Sequence, residues 1–252
     1  MKSENFSEDI FLSVVVPAYN EDRRIAITLK KIREYLDCQN YSSEIIVVSD
    51  GCTDMTDSCA AESLKDWPNF SLLCRSENKG KGYTVKEGIL HSQGRMILFT
   101  DADLSTPIEE LANFLPWADE FDVIIGSRAL PESNIQVRQS FFREYMGKTF
   151  NLFVQLLIFQ GIKDTQCGFK LFQRQAALDI FNRIKLDGFV FDVEALYVCR
   201  KLGYRIKQLP VVWRNSPESR VHVFRSSVEM FLDLFRIKFL HKSLKKRKTA
   251  HV

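Results

Sequence analysis

Two carboxylates stand one residue apart at Asp101 and Asp103, directly after an apolar run at residues 95–100. If that run is a buried strand, both side chains leave the sheet in the following loop and can share one divalent cation. Hard oxygen ligands suit Mg²⁺ or Mn²⁺, which would also bridge a substrate diphosphate. The alternative is a loop in which Asp103 caps the helix near Pro107. The position after a hydrophobic strand favours the metal site.

Polar residues also follow other apolar runs. Asp50 closes the run at residues 44–49, where an acidic group can accept hydrogen bonds from a nucleotide base or ribose. Lys81 lies in a glycine-bearing segment, residues 78–82, that could bring amides and lysines near phosphate or serve only as a turn before a helix. Neither a P-loop sequence nor a G-x-G-x-x-G after the first strand occurs, which disfavours nucleoside triphosphatases and Rossmann dehydrogenases.

The elements that must position these residues alternate along the first half of the chain. Short apolar runs predict strands at residues 13–17, 44–49, 70–75, 95–100 and 122–126. Helical spacing predicts intervening helices at residues 21–37, 53–64, 82–92 and 107–117. This alternation is typical of an α/β fold with a doubly wound parallel sheet. Ligands of such sheets bind beyond the carboxyl ends of the strands, so one crevice should collect the polar residues.

The pattern changes after Ser127. Helices are predicted at residues 140–159, 174–184, 193–202 and 221–240, with one strand at residues 205–212. No internal repeat or long linker separates the two halves. We therefore expect one domain over residues 1–240, built from halves at about residues 12–127 and 128–240, and a basic tail at residues 241–252.

Composition and charge limit the function. The 252 residues are 45% hydrophobic and 27% charged, which excludes disorder and small disulfide scaffolds. The net charge of +3 is distributed unevenly along the chain. Residues 236–252 hold seven basic side chains and no acid, whereas residues 1–235 hold 28 basic and 32 acidic groups. A basic end behind an apolar helix fits an anionic membrane surface, whereas a nucleic-acid partner would require a positive folded face. No nucleic-acid partner is expected.

The remaining composition points to a reducing compartment. The six cysteines form no C-x-x-C pair, which is typical of unpaired buried thiols. Acids precede the first apolar run, where a secretory signal would carry positive charge. The longest uncharged stretch, residues 149–162, is too short to span a bilayer. A cytoplasmic location without a membrane-spanning segment is expected.

Seven sequence blocks, taken together, resemble the family-2 inverting glycosyltransferases, and within them the polyprenyl-phosphate sugar synthases, nearest to the dolichyl-phosphate β-glucosyltransferase group. The blocks are VVVPAYNE (14–21), IIVVSDGCTD (45–54), NKGKGYTVKEGI (78–89), FTDADLSTPIEEL (99–111), VIIGSRAL (123–130), DTQCGFKLF (164–172) and GFVFDVEAL (188–196). One departure is Ser49, which stands where the family usually has aspartate. This departure places more weight on Asp50 as the nucleotide contact.

The resemblance implies a GT-A fold, a Rossmann-like and mostly parallel sheet flanked by helices, whose first half binds a nucleotide sugar. It places Pro17, Ala18, Tyr19, Glu21 and Asp50 around the nucleoside, and Lys81 and Gln166 near the donor. It places Asp101, Ala102 and Asp103 at the diphosphate and its Mg²⁺ or Mn²⁺. Arg128 and Arg143 would lie at the acceptor phosphate. Arginine suits that last role because its guanidinium binds phosphate bidentately and stays charged.

The implied reaction moves a hexose onto a polyprenyl phosphate with inversion at the anomeric carbon. The resemblance of the blocks at 164–172 and 188–196 favours UDP-glucose as the donor. A phosphate dianion, whose second pKa is roughly 6, is itself a competent nucleophile near neutral pH, so no general base is required. What the protein must supply is alignment of two anionic partners and neutralisation of the leaving diphosphate.

A lipid acceptor requires a surface that faces a membrane. The predicted helices at residues 140–159 and 221–240 are rich in aromatic and aliphatic residues, and the second precedes the basic tail. They are expected to be amphipathic interfacial helices that bind the cytoplasmic face of a membrane peripherally. The alternative for each helix alone is packing in the protein core.

Several other functions remain open from the sequence. One is a GDP-mannose-dependent polyprenyl-phosphate mannosyltransferase, and another is a catalytically silent module that binds a nucleotide sugar at a membrane. A glycosyltransferase for a soluble acceptor would need a general base such as Asp192. A nucleotidylyltransferase is disfavoured because no glycine- and arginine-rich loop follows the first strand.

Overall fold

The computed structural model describes residues 10–137, 141–215 and 223–246, without the side chains of residues 141–143 and 223–229. The first half alternates strands and helices as expected. Its elements are β1 (Leu12–Ala18), α1 (Ile25–Asp37), β2 (Ser43–Asp50), α2 (Thr56–Leu64), β3 (Phe70–Arg75), α3 (Lys81–His91), β4 (Met96–Thr100), the short α4 (Leu111–Phe114) between single 3₁₀ turns, and β5 (Val123–Ser127).

Burial explains why these segments form strands and helices. Every residue of β1, β2, β4 and β5 is buried, as expected for β-branched and aliphatic runs covered on both faces of a sheet. In α1 the buried side chains recur at helical spacing, at Ile25, Leu29, Ile32 and Leu36. The five predicted strands and the helices α1 to α3 are confirmed to within a few residues at their ends.

The second half completes the sheet and adds helices. Its elements are β6 (Asn134–Val137), α5 (Phe141–Leu157), β7 (Phe169–Gln173), α6 (Arg174–Phe181), α7 (Phe191–Leu202), β8 (Ile206–Pro210), β9 (Val212–Arg214) and α8 (Val223–Leu240). The strand predicted at residues 205–212 is therefore two strands interrupted at Val211. β6 and β9 pair in parallel as a small separate sheet.

The main sheet is parallel except for one strand. Its order is β3-β2-β1-β4-β7-β5-β8, and β7 runs antiparallel between β4 and β5. We expected no strand at residues 169–173. The strand was missed because Lys170 places a charge within it. Lys170 is nevertheless buried, because it forms an ion pair with Asp192 of α7. The sheet is mostly parallel, and the expected α/β class is confirmed.

Helices α5 and α8 pack against each other beside the sheet. Val154 of α5 and Leu234 and Ile237 of α8 are buried together, and the rings of Phe153 and Phe231 meet edge to face at 4.9 Å. Both helices also carry exposed apolar side chains, namely Tyr145, Leu152 and Leu156 of α5 and Leu232, Phe235 and Phe239 of α8. Within the described residues, no helix combines the length and the hydropathy needed to cross a membrane.

Candidate active site

The acidic pair lies where β4 leaves the sheet. The backbone N–H of Asp101 donates to the carbonyl of Gly168, 3.1 Å away, so the start of β7 fixes the loop after β4. The Asp103 carboxylate accepts a hydrogen bond from the N–H of Ser105 at 2.9 Å. Ala102 is buried between them, and its carbonyl accepts the Thr28 hydroxyl at 2.6 Å. This loop is therefore held by α1 and by the residue that precedes β7.

Lys81, the first residue of α3, faces this pair. Its Nζ lies 2.7 Å from Oδ1 of Asp101, and about a quarter of each side chain is exposed. Burial alone would lower the pKa of Lys81, but Asp101, Asp192 and Asp103 surround the ammonium and raise it. Burial, and next the neighbouring charge of Asp101, raise the pKa of Asp103. The site thus concentrates negative charge that one lysine partly neutralises.

The acidic pair suits a hard divalent cation. Two carboxylates one residue apart supply oxygen ligands, and a cation would offset the unfavourable burial of Asp103 and the repulsion between it and Asp101. The described residues hold no group of three or more His, Cys, Asp or Glu side chains that could bind a metal without help. The other ligands would therefore come from water and from a bound substrate, as is usual for Mg²⁺ at phosphate sites.

Asp50 is buried and organises the loop before α3. Its Oδ1 accepts hydrogen bonds from the Arg75 guanidinium at 2.5 Å and the Lys79 N–H at 2.8 Å, and its Oδ2 accepts from the Gly80 N–H at 2.9 Å. The neighbouring buried hydroxyl of Ser49 has no hydrogen-bond partner in the part of the chain that the structure describes. Asp50 therefore fixes the backbone that carries Lys81.

The end of β1 is tied to the loop after β2. Pro17 and Ala18 are buried in the last positions of β1, whereas Tyr19 is 43% exposed. Asn20 has a positive φ of 54°, and its side-chain oxygen accepts the Thr53 N–H at 2.8 Å. Glu21 donates its N–H to the Thr56 hydroxyl at 2.6 Å. The segments that follow the two strands are thus held together by hydrogen bonds.

Glu21 also connects these segments to the acidic pair. Its carboxylate forms an ion pair with Arg24, with Oε1 and Nη2 2.8 Å apart. The positive charge of Arg24 acts on Asp103 and opposes the rise in its pKa. The residues predicted around the nucleoside and those predicted at the diphosphate therefore lie at the same edge of the sheet.

Arg128 stands at the end of β5 and is held by Asp164. Nε and Nη2 of Arg128 donate to the two oxygens of Asp164 at 2.6 and 2.9 Å, and the Arg128 N–H adds a third bond at 3.0 Å. The guanidinium lies 5.5 Å from the ring centre of Trp213. Burial disfavours the charged form of Asp164, but Arg128 lowers its pKa to about 2. Arg128 is also close enough to Asp101 for their charges to interact.

Two predicted residues remain. Gln166 is half-buried and donates its backbone N–H to Asp164 Oδ1 at 3.1 Å, so it lies beside Arg128. Arg143 belongs to the first turn of α5, but its side chain is outside the described residues.

The structure adds two residues, Asp164 and Lys170, to which the sequence reasoning assigned no role. Asp164 positions Arg128, and Lys170 donates to Asp192 Oδ1 at 2.5 Å and to the carbonyl of Cys167 at 2.6 Å. Asp192, like Lys170, is almost completely buried, and its charge acts on Lys81. Both Asp164 and Lys170 lie in the block at residues 164–172, so that block was the available signal.

The chain is similar to known proteins in sequence and in fold. The model of the family "Glycosyl transferase family 2" matches residues 13–181. The chain is 36% identical over 253 residues to a dolichyl-phosphate beta-glucosyltransferase of Dictyostelium discoideum. The alignment covers 95% of this chain and 77% of the relative.

Solved structures share the fold. Mannosyl-3-phosphoglycerate synthase from Rubrobacter xylanophilus superposes with a TM-score of 0.70 at 19% identity, over 96% of this chain and 79% of that one. Glucosyl-3-phosphoglycerate synthase from Mycobacterium tuberculosis was solved in complex with Mn²⁺, UDP and phosphoglyceric acid. It superposes with a TM-score of 0.65 at 17% identity, over 95% of this chain and 80% of that one.

Proposed function

The chain belongs to glycosyl transferase family 2, and on that basis we propose that it transfers glucose from UDP-glucose to a dolichyl-type polyprenyl phosphate with inversion. The chain is thus a glycosyltransferase. The observation that carries the proposal is the meeting of Lys81, Asp101 and the Asp164-bound Arg128 at the carboxyl edge of the sheet. The similarity to a dolichyl-phosphate beta-glucosyltransferase over most of both chains supports glucose and a dolichyl acceptor.

On the donor side, the residues at the edge of the sheet bind and orient a nucleoside diphosphate. Tyr19 and Glu21 line the nucleoside pocket with Pro17 and Ala18, and Asp50 fixes the loop that presents Lys81. A divalent cation held by Asp101 and Asp103 would neutralise the leaving diphosphate. The presence of Mn²⁺ and UDP in the Mycobacterium tuberculosis structure of the same fold supports this assignment. Lys81 contributes a second positive charge next to Asp101.

On the acceptor side, Arg128 binds the lipid phosphate and Gln166 borders it. Asp164 orients the guanidinium of Arg128 and leaves one of its nitrogens, Nη1, outside the bidentate pair. The proposed role of Arg143 is the same, since it lies at the start of α5. An aligned phosphate dianion attacks the anomeric carbon without a general base, because its oxygen is already deprotonated near neutral pH.

The surface formed by α5 and α8 is proposed to contact the membrane that holds the acceptor. Its exposed apolar residues are Tyr145, Leu152, Leu156, Leu232, Phe235 and Phe239. Exposed lysines Lys242, Lys245 and Lys246 follow α8, and their charge complements anionic lipid headgroups. All six cysteines are free thiols, which supports the cytoplasmic face of the membrane. Binding is peripheral in this proposal.

The test is a transfer assay with purified protein, dolichyl phosphate in vesicles, and Mg²⁺ or Mn²⁺. UDP-glucose and GDP-mannose are supplied in separate reactions, beside Asp103→Ala and, as a matched control, the exposed Asp119→Ala. We expect metal-dependent glucosyl lipid with UDP-glucose, lost in Asp103→Ala and kept in Asp119→Ala. Formation of mannosyl lipid from GDP-mannose, without glucosyl lipid from UDP-glucose, would show that the donor is GDP-mannose. Binding of nucleotide sugar without any lipid product would refute transfer to a lipid.

A further inference from the structure

A buried histidine follows the helix proposed to contact the membrane. His241 comes directly after α8 and is 4% exposed, and its backbone N–H donates to the carbonyl of Ile237 at 3.2 Å. Its Nε2 lies 2.6 Å from Oε1 of Glu194, which is completely buried in α7. This contact joins the end of α8 to the interior of the protein.

Glu194 in turn holds the loop between α6 and α7. Its carboxylate accepts hydrogen bonds from the backbone N–H groups of Lys185, at 3.0 and 3.1 Å, and Leu186, at 2.9 Å. A buried carboxylate needs such donors, because an unpaired charge in the interior is strongly unfavourable. The position of residues 185 and 186 therefore depends on Glu194 and on the imidazole that completes its contacts.

The same loop continues into the start of α3. The carbonyl of Asp187 accepts the N–H groups of Gly82 at 2.7 Å and Tyr83 at 3.3 Å, which are otherwise without partners at a helix start. Contact is so close that a Cβ at Gly80 would lie 2.5 Å from the Asp187 carbonyl oxygen, and Gly80 has a φ of +97°. A Cβ at Gly82 would lie 2.6 Å from the Leu186 carbonyl oxygen. No side chain separates the loop from α3.

Lys81 lies between these two glycines, and its ammonium is 2.7 Å from Asp101. A continuous set of hydrogen bonds and backbone contacts thus runs from α8 through His241, Glu194 and Asp187 to the residue that faces the acidic pair. Every connection in this series involves a backbone group or a buried side chain. A displacement at one end is therefore not absorbed by a flexible exposed side chain.

We propose that His241 and Glu194 are positioning residues that connect α8 to Lys81, so that binding of α8 to a membrane strengthens binding of the nucleotide. The inference rests on the proposed function, because it takes the exposed face of α8 as the lipid contact. Binding of Phe235 and Phe239 to lipid fixes α8, and with it the loop at residues 185–187 and the start of α3. The conformational entropy of these segments is then already lost before a nucleotide binds, so the nucleotide binds more tightly.

The experiment measures the dissociation constant of UDP with Mn²⁺, without and with saturating vesicles of phosphatidylcholine and phosphatidylserine. His241→Leu removes the contact with Glu194, whereas His241→Gln keeps a donor there. The matched control is His91→Leu, since His91 is exposed at the end of α3 and its Nδ1 lies 2.8 Å from the carbonyl oxygen of Glu87 in the same helix. Hydrogen exchange at Gly82 and Tyr83 is measured in the same samples.

In the unsubstituted protein we expect vesicles to tighten UDP binding about fivefold or more and to slow exchange at Gly82 and Tyr83. His241→Gln and His91→Leu should behave in the same way, and His241→Leu should lose both effects while still floating with vesicles. An equal effect of vesicles on His241→Leu and the unsubstituted protein would overturn the inference. So would unchanged UDP affinity and exchange in the unsubstituted protein when vesicles are bound.

Two further outcomes can be distinguished from failure of the connection between α8 and α3. If His241→Leu does not fold, exchange in the unsubstituted protein and in His241→Gln decides the question. If the protein binds no UDP but vesicles still slow exchange at Gly82 and Tyr83, the proposed donor is wrong and the connection from α8 to α3 stands.

Discussion

The carboxylate of Asp101 packs directly on Gly168, where a Cβ would lie 1.9 Å from Oδ2 of Asp101. The same two residues are joined by the hydrogen bond from the Asp101 N–H to the Gly168 carbonyl. The position of this carboxylate, and with it the spacing of the acidic pair, therefore depends on the absence of a side chain at residue 168.

Gly168→Ala should displace the Asp101 carboxylate, because the new methyl group and Oδ2 cannot occupy the same space. We expect glycosyl transfer to fall about 100-fold, the usual result of a misplacement near 1 Å at a reacting centre. Steady-state kinetics with UDP-glucose and calorimetry of UDP with Mn²⁺ measure the effect. Gly147→Ala is the matched control, since no described atom beyond the backbone of its own helix lies within 4 Å of a Cβ there. Equal activity of the two variants would contradict the proposed role of Asp101.

Asp164→Asn should remove the charge that orients Arg128. At neutral pH the variant should be destabilised by about 3 kcal/mol, because Arg128 is left without its carboxylate partner. The pKa of Asp164 is lowered from 3.8 to about 2, so its contribution to stability is complete above pH 4 and is lost as pH falls towards 2. The difference in stability between the two proteins should therefore shrink below pH 4 and be mostly gone at pH 2, as measured by urea unfolding. A constant difference down to pH 2 would show that the pair does not set this stability.

Lys170→Met should leave Asp192 buried without its nearest cation. Burial raises the pKa of Asp192 while Lys170 and Lys81 oppose that rise, so removing Lys170 should raise the pKa further. We expect a loss of about 3 kcal/mol in unfolding free energy at pH 7, smaller at acidic pH where Asp192 is protonated. Denaturant unfolding at both pH values tests this. Lys30→Met on exposed α1 is the control and should be near neutral.

Phe239→Ser should weaken binding to anionic vesicles without changing stability, because Phe239 is 81% exposed in the protein. Burial of one Phe side chain in an apolar medium is worth about 2 kcal/mol, so vesicle affinity should fall more than tenfold. Flotation with vesicles of defined composition measures the loss. Ile27→Ser is the control, because Ile27 is 58% exposed on α1, outside the α5 and α8 surface. Equal losses in both variants would argue against a specific membrane face.

β1, β2, β4 and β5 were predictable from sequence because burial on both faces leaves an apolar run, and α1 was predictable from the helical spacing of its buried residues. β7 was not, because its Lys170 looks like a surface residue until Asp192 is brought beside it by α7. β6 and β9 are four and three residues long, which is too short to show periodicity. Such elements are defined by tertiary partners that a local pattern does not contain.

The site was partly predictable for a related reason. Residues at the carboxyl ends of parallel strands must meet, so Asp101 and Arg128 could be placed at one edge of the sheet from their positions alone. The engagement of Asp50 with Arg75 and the loop before α3 could not be foreseen, because it depends on where that loop returns. The roles of these residues in binding remain predictions for the experiments above.

The place of β7 between β4 and β5 also governs the order in which the sheet can form during synthesis. β4 pairs with β1 and β7, whereas β5 pairs only with β7 and β8, so no strand of the first 127 residues joins β5 to the others. Until residue 173 has left the ribosome, the nascent sheet ends at β4 with an open edge that is apolar except for Thr100. Exposed edges of this kind recruit other strands. Synthesis from residue 101 to residue 173 is therefore the interval in which we expect the nascent chain to depend most on chaperones.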